Sequence, residues 1–261
     1  MKDYHFSGVA LLITHYNRSN SLERLLQAFK GLNCSFEEIV VSDDGSSPVH
    51  LAALQALKNN YNFKLVLAAA NKGLGNNMNK GQEAVTAPLT LYVQEDFVPT
   101  ERFPKSFVDA VDLMTGSSEI DFIRFYAYYK YPYLKPYKAG YSEMLYKIWY
   151  FRYRKIYFYS DHPHLRRSNF LTRFGRYAEN VKGDRMEYLK CIEVLQKKPK
   201  ALFFDEYTTL FTQVNSEAEP STMSRSNWTQ TDNPFISAIR NVYRQVKYNF
   251  DLMLLDPQKG Q

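Results

Sequence analysis

Two adjacent carboxylates, Glu95 and Asp96, close an apolar run, Leu89–Val93, that has the length of a buried strand. Neighbouring like charges are costly inside a sheet but natural beyond a strand's carboxyl end, where open α/β sheets bind their ligands. Hard carboxylate oxygens at such a place can hold a divalent cation, which in turn neutralises phosphates. A second pair, Asp43-Asp44, precedes Gly45-Ser46 after the run Glu38–Val41. Such acceptors suit ribose hydroxyls or base N–H groups, and equally an Asx turn that starts the next helix. Asn71-Lys72-Gly73-Leu74-Gly75 can turn backbone N–H groups toward an anion. Thr14-His15-Tyr16-Asn17-Arg18 follows Val9–Ile13. In the second half, Asp184 and Glu187 lie one helical turn apart. Either can be a general base for an attacking hydroxyl, or an acid favoured by the helix macrodipole. Asp161-His162-Pro163-His164 reads as a polar loop suited to an acceptor cleft, with His162 and His164 facing it.

The elements that must position these residues follow from the apolar pattern. Val9–Ile13, Glu38–Val41, Phe63–Ala68 and Leu89–Val93 are continuous runs of strand length, as expected for strands buried on both faces. Leu22, Leu25, Leu26 and Phe29 recur at helical spacing after Ser19 or Ser21 as a cap, and Gly31 ends that helix. Helices are also expected over Pro48–Asn59 and Asn76–Thr86. The resulting β-α-β-α-β-α-β order implies right-handed crossovers and a parallel sheet. All four polar clusters then fall on one edge of it. Phe103–Met114 and Asp184–Leu195 read as further helices, and Ile120–Phe125, Ala201–Phe204 and Thr208–Phe211 as strands. Between Tyr126 and Tyr159 lie twelve tyrosines interleaved with Lys and Arg, without a clean period. That stretch is expected to be an insertion of loops with short strands or a helix around Glu143–Arg152. Val214–Pro234 is polar. Over 235–255, Ile236, Ile239, Val242 and Val246 stand at helical spacing with Arg240, Arg244 and Lys247 between them.

Composition excludes several classes. The chain has 261 residues, 45% hydrophobic, which is enough for a sizeable core and too apolar for a disordered protein. Cys34 and Cys191 are the only cysteines, so neither a disulfide framework nor a Cys-based zinc site can be built, and a reducing compartment is expected. Val9–Ile13 is too short for a signal peptide, and no apolar run approaches a membrane span, so a cytoplasmic location is expected. The net charge of +6 suits phosphate ligands, anionic headgroups or nucleic acid without choosing among them. No G-x-x-x-x-G-K-[ST] or G-x-G-x-x-G occurs. A nucleotidyltransferase is the second enzyme reading, although Thr14–Asn20 has no glycine for its usual loop. Two non-catalytic readings stand beside it: a nucleotide-sugar binder that does not transfer, and, from the tyrosine-rich stretch, a nucleic-acid binder.

Together the four strand ends resemble family 2 glycosyltransferases of the bacterial polysaccharide-biosynthesis type. The residues that carry the resemblance are Thr14-His15-Tyr16-Asn17-Arg18, Asp43-Asp44-Gly45-Ser46, Asn71-Lys72-Gly73 through Asn79-Lys80-Gly81, and Gln94-Glu95-Asp96 in the place of the D-x-D motif. The resemblance implies the GT-A fold, an α/β architecture with a mostly parallel central sheet flanked by helices and an acceptor-side extension. It implies a donor half over 1–100, an acceptor half over 101–215 with the insertion 126–159, and a linker and basic amphipathic helix over 216–261. The implied donor is a UDP- or GDP-type sugar held by Thr14, Tyr16, Asn17, Arg18, Asp43 or Asp44, Asn71, Lys72, Gly73, Asn79 and Gln94. Glu95 and Asp96 are implied at a Mg²⁺ or Mn²⁺ ion and the diphosphate, and Asp184 or Glu187 as the base of an inverting displacement. The acceptor is expected to be a saccharide or lipid-linked, with peripheral contact to the inner face of the membrane and no nucleic acid. The motif departs from the family in being Gln-Glu-Asp, and Gln213 stands where a third metal ligand, often His, is expected.

Overall fold

The structure, a computed structural model, describes residues 2–215, 219 and 234–257, the last segment with side chains from 239 onward. The first half alternates strand and helix as the apolar runs demand: β1 (Tyr4–His15), α1 (Ser19–Gly31), β2 (Cys34–Asp43), α2 (Pro48–Tyr61), β3 (Lys64–Leu67), α3 (Leu74–Glu83) and β4 (Leu89–Gln94). The short β5 (Phe97–Pro99) and α4 (Phe103–Gly116) complete it. The second half holds β6 (Phe122–Arg124), β7 (Leu134–Lys138), β8 (Tyr141–Met144), a 3-10 turn (Tyr153–Ile156), β9 (His164–Arg167), α5 (Phe170–Phe174) and α6 (Gly183–Gln196). It ends with β10 (Ala201–Phe204), β11 (Phe211–Gln213) and α7 (Pro234–Leu254).

Nine strands form one sheet in the order β3-β2-β1-β4-β9-β6-β10-β8-β7. The first four are parallel, so β1, β2 and β4 all end on one edge. β9 enters antiparallel between β4 and β6 and joins the two halves into one sheet. Val9, Leu11 and Ile13 of β1 face a core with α1 and α4, whereas Leu12 faces the opposite core with Met78 of α3, so both faces of this strand are covered. β11 pairs with β5 in a separate two-stranded ribbon, which carries Gln213 back beside the end of β4.

Several expectations change in the second half. Of the two alternatives around 143–152, a short strand and not a helix is found. Tyr141–Met144 is β8, and it lies between β10 and the edge strand β7, where Tyr141 and Met144 find buried places against the core. Ser160–Arg167 is not a loop throughout: His164–Arg167 is a central strand. Its Arg166 is fully buried, bonded through Nε to Gln82 (2.9 Å) and through Nη1 to the Tyr177 hydroxyl, while Nη2 has no hydrogen-bond partner among the described residues. Neither Ser19 nor Ser21 caps α1. The Glu219 carboxylate accepts from the Asn20 and Ser21 N–H groups (3.0 and 2.9 Å) and takes over that role from the far end of the chain. The tyrosine-rich stretch divides, with Tyr131, Tyr141 and Tyr159 in the core and Tyr128, Tyr129 and Tyr137 exposed. The helix expected over 235–255 is α7, and residues 216–233 of the polar segment lie outside the described residues apart from Glu219.

Candidate active site

A cleft of about 1750 Å³ runs along the carboxyl edge of β1, β2 and β4. One wall comes from the strand ends: Thr14, Tyr16 and Arg18 after β1, Asp44 after β2, Asn71 and Gly73 before α3, and Gln94, Glu95 and Asp96 after β4. The facing wall comes from Asp161, His162 and Glu187, the chain around Tyr128–Pro132, and α7.

The donor-side residues are tied to one another before any ligand arrives. Both oxygens of Asp44 accept backbone N–H groups, Lys72 and Gly73 at 2.9 Å each, which clamps the Asn71–Gly73 turn to the end of β2. Burial raises the Asp44 carboxyl pKa more than those two donors lower it. Lys72 itself points its side chain to solvent, so only its backbone serves the cleft. Asp43 is fully buried. It bonds His15 Nδ1 (2.8 Å), Ser46 Oγ (2.5 Å) and the Ser46 N–H (2.9 Å), so it builds the turn and leaves the cleft to Asp44. Asn17 takes a left-handed φ of 53°, which its short side chain tolerates, and its Oδ1 accepts from the Ser47 N–H at 2.8 Å. It clasps the first two strand ends and does not line the cleft. Asn79 is likewise a correction. Its amide is spent on both backbone groups of Tyr177 and on Glu179, beneath the surface.

Three residues meet over the end of β4. Arg18 Nη1 lies 3.2 Å from Glu95 Oε1 and 3.7 Å from Asp96 Oδ2. Gln213 Nε2 donates to Asp96 Oδ2 at 2.8 Å, and the Tyr128 hydroxyl donates to Gln213 Oε1 at 2.7 Å. Burial, then the charge of Asp96, pushes the Glu95 carboxyl up to about 7, against the pull of Arg18. Asp96 Oδ1 is buried and has no hydrogen-bond partner among the described residues. Those residues hold no cluster of three or more metal-ligating side chains. The donor set therefore fits a divalent ion only at the free Asp96 oxygen, with a ligand's own phosphates completing the shell; Glu95 is occupied by Arg18.

Across the cleft Asp161 and Glu187 share a hydrogen bond. Gln94 Nε2 donates to Asp161 Oδ2 at 3.0 Å, and the Ser160 hydroxyl bonds Glu187. Burial raises both carboxyls, and the charge of Glu187 raises Asp161 further. The positive charge of Arg124 works the other way on Glu187. Asp184 is separated from this pair. It is exposed in the first turn of α6 and accepts from the Arg185 N–H at 2.8 Å. His162 lines the cleft, edge-on to the rings of Phe97, Tyr126 and Tyr128. His164 does not: it is fully buried in β9, bonds the His162 carbonyl at 2.7 Å, and is held neutral by burial and then by Arg166. Sequence reasoning missed Asp161 as half of a carboxyl pair, the Arg18–Glu95 contact, and α7 as a wall. For Asp161 the signal was present, a carboxylate beside the histidines.

A family model described as "Glycosyl transferase family 2" matches residues 10–177. The poly-beta-1,6-N-acetyl-D-glucosamine synthase of Staphylococcus epidermidis is 27% identical over 97 residues, 37% of this chain and 24% of that protein. The same-named protein of Staphylococcus aureus is 24% identical over 102 residues, 39% of this chain and 25% of that one. The chain thus aligns with about a quarter of the length of these curated relatives. Among solved structures, S. aureus TarS 1-349 in complex with UDP-GlcNAc superposes with a TM-score of 0.61 at 15% identity, over 93% of this chain and 72% of that one. The mannosyltransferase PcManGT of Pyrobaculum calidifontis in complex with GDP-Man and Mn²⁺ gives 0.51 at 13%, over 74% and 53%. The shared architecture is the GT-A fold.

Proposed function

The chain belongs to glycosyl transferase family 2, and from that premise we propose that it moves a sugar from a nucleoside diphosphate to a hydroxyl of an acceptor saccharide. The donor half is assigned to residues 1–100 and the acceptor half to 101–215. The observation that carries this reading is that Asp96 and Glu187 line facing walls of one cleft. The nucleotide lies along Thr14, Tyr16, Asp44 and the Asn71–Gly73 turn. A UDP- or GDP-type donor is supported by the UDP-GlcNAc and GDP-Man named for the two structural neighbours.

The acceptor hydroxyl attacks the anomeric carbon from the side of Glu187. A C–O bond forms as the bond from that carbon to the phosphate oxygen breaks, and configuration inverts. Glu187 receives the hydroxyl proton, and Asp161 holds its carboxylate through the shared hydrogen bond. Arg18 stands beside the diphosphate end and balances the charge of Glu95. Asp96 is the residue that would hold a Mg²⁺ or Mn²⁺ ion, which would supply neutralisation of diphosphate charge. The acceptor is a free or lipid-linked saccharide, taken at the inner face of a membrane. No helix among the described residues is long and apolar enough to cross one.

A thermal-shift panel of nucleoside diphosphate sugars, each with and without Mn²⁺, tests the reading. One nucleotide class is expected to raise the melting temperature, more so with the ion. No response to any nucleotide sugar would end it.

A further inference from the structure

Helix α7 is amphipathic in the reverse sense to a surface helix. Its inward side is mostly polar and aromatic, with Leu252 buried against the core. Arg244 Nη1 donates to the Tyr153 hydroxyl (3.3 Å), Gln245 Nε2 to the Tyr150 carbonyl (3.0 Å), and the ring of Tyr248 packs on Tyr188. Its outward side is apolar. Ile239, Val242, Tyr243, Val246, Phe250, Met253 and Leu254 are each 57–69% exposed. At 100° per residue these seven positions fall within an arc of roughly 120° that contains no charged residue. Trp149 and Phe151 flank the Tyr150 carbonyl that receives Gln245, and they are the most exposed aromatics among the described residues, at 74% and 81%. The chain spends hydrogen bonds to hold this side outward. A contiguous apolar surface of this extent marks an interaction site rather than a water-facing surface.

We propose that the outward face of α7, with Trp149 and Phe151, docks on an anionic lipid bilayer and brings the acceptor end of the cleft to a lipid-linked saccharide. The inference rests on the glycosyltransferase reading only for its second half. The charges around the face select the occupant. Lys147, stacked on Trp149 at 5.4 Å, and Arg152 and Arg154 are exposed beside it, whereas Lys247, which borders the stripe, is paired with Asp251. An anionic headgroup layer complements these cations. A second copy packed across a two-fold axis would set the same cations against themselves. Tyr243 and Trp149 carry an apolar body with a polar tip, which suits the depth of the headgroups. Phe151, Val242 and Val246 belong both to this face and to the lining of the cleft. An acceptor with a lipid tail can therefore pass its head toward Glu187 while its tail stays in the bilayer.

The test is flotation of the full chain with vesicles of phosphatidylcholine alone and of phosphatidylcholine with phosphatidylglycerol. A Phe250→Glu/Met253→Glu variant serves as control, since neither residue lines the cleft. Wild type is expected on the anionic vesicles, with weaker binding at high salt. The variant is expected to partition at least about tenfold less, with an unchanged melting temperature and an unchanged thermal response to nucleotide sugar. Equal flotation of the two proteins would overturn the proposal, as would a wild-type dimer that the variant dissociates without any vesicle binding. Flotation needs no turnover and the nucleotide-sugar response needs no membrane, so failure of docking and failure of the functional reading are separately visible.

Discussion

Arg18 sits over Glu95, Nη1 to Oε1 at 3.2 Å, where a sequence reading places a metal against two bare carboxylates. The guanidinium is itself gripped by Asn215 Oδ1 (2.8 Å) and the Glu219 carbonyl (3.1 Å), so it is an integral part of the fold. Removing it leaves two adjacent buried acids. Arg18→Ala is expected to cost about 3 kcal/mol, the usual scale for breaking a buried pair. That lowers the melting temperature by roughly 6–12 °C for a chain of this size. An unchanged melting curve would show that the pair is not holding the structure.

Asp96 is the carboxylate left with an open oxygen. Asp96→Ala is expected to cut turnover by about 10²-fold or more while the protein melts as before, because the loss falls on charge stabilisation at the leaving group. The increment that Mn²⁺ adds to the donor's thermal shift is expected to vanish with it. A variant that keeps that increment would place the ion elsewhere.

These two residues also mark how far the sequence was legible. Order and edge of the parallel half could be read, because Val9–Ile13 and Leu89–Val93 are continuous apolar runs and the polar residues after them had one place to go. The contacts among the polar residues could not be read. Glu219 reaches the start of α1, and Gln213 reaches Asp96 only because β11 pairs with β5. Nothing local encodes these pairings. β9 was hidden by its composition, since a strand with one His and two Arg looks solvated until Gln82 and Tyr177 are seen to bond two of the three Arg166 nitrogens. Periodicity gave α7 two faces but could not say which one points outward.

Gly75 supports the donor side from below. A Cβ there would lie 2.1 Å from the Ala178 carbonyl oxygen and 3.2 Å from Met186 Cγ, so α3 could not approach the 177–179 segment. Gly75→Ala is expected to destabilise by about 1–3 kcal/mol, since the obstacle is mostly backbone and cannot rotate away. Chemical denaturation reads this as a lower midpoint at unchanged slope. A midpoint equal to wild type would mean that the contact relaxes freely.

The Asp161–Glu187 pair makes stability depend on pH with a fixed sign. Both carboxyls titrate above their ordinary range, from burial and, for Asp161, from the charge of Glu187. The folded protein therefore keeps protons that the unfolded chain has released, and its stability falls as pH rises from the ordinary carboxylate range, about 4, toward the folded values. Asp161→Asn is neutral at every pH and can still donate to Glu187. Its melting temperature is expected to gain on wild type as pH rises from about 5 to about 8. A difference that stays constant across that range would refute the shared-proton account.

Glu187 and Asp184 share the start of α6 but not an environment. Glu187 lies in the cleft against Asp161 and Ser160, whereas Asp184 is exposed and accepts from the Arg185 N–H. A general base must reach the attacking hydroxyl, and of the two only Glu187 lines the cleft. Glu187→Gln keeps the shape and hydrogen-bonding capacity but cannot take a proton. It is expected to lower kcat by about 10²–10⁴-fold with little change in donor affinity. Asp184→Asn removes a favourable charge at a helix start and is expected to cost under about 1 kcal/mol of stability, with turnover unchanged. The two variants, assayed side by side for kcat and for donor-induced thermal shift, decide between the residues. If Asp184→Asn lost turnover and Glu187→Gln kept it, the cleft would have to rearrange on binding before chemistry, and the base would lie outside the wall described above.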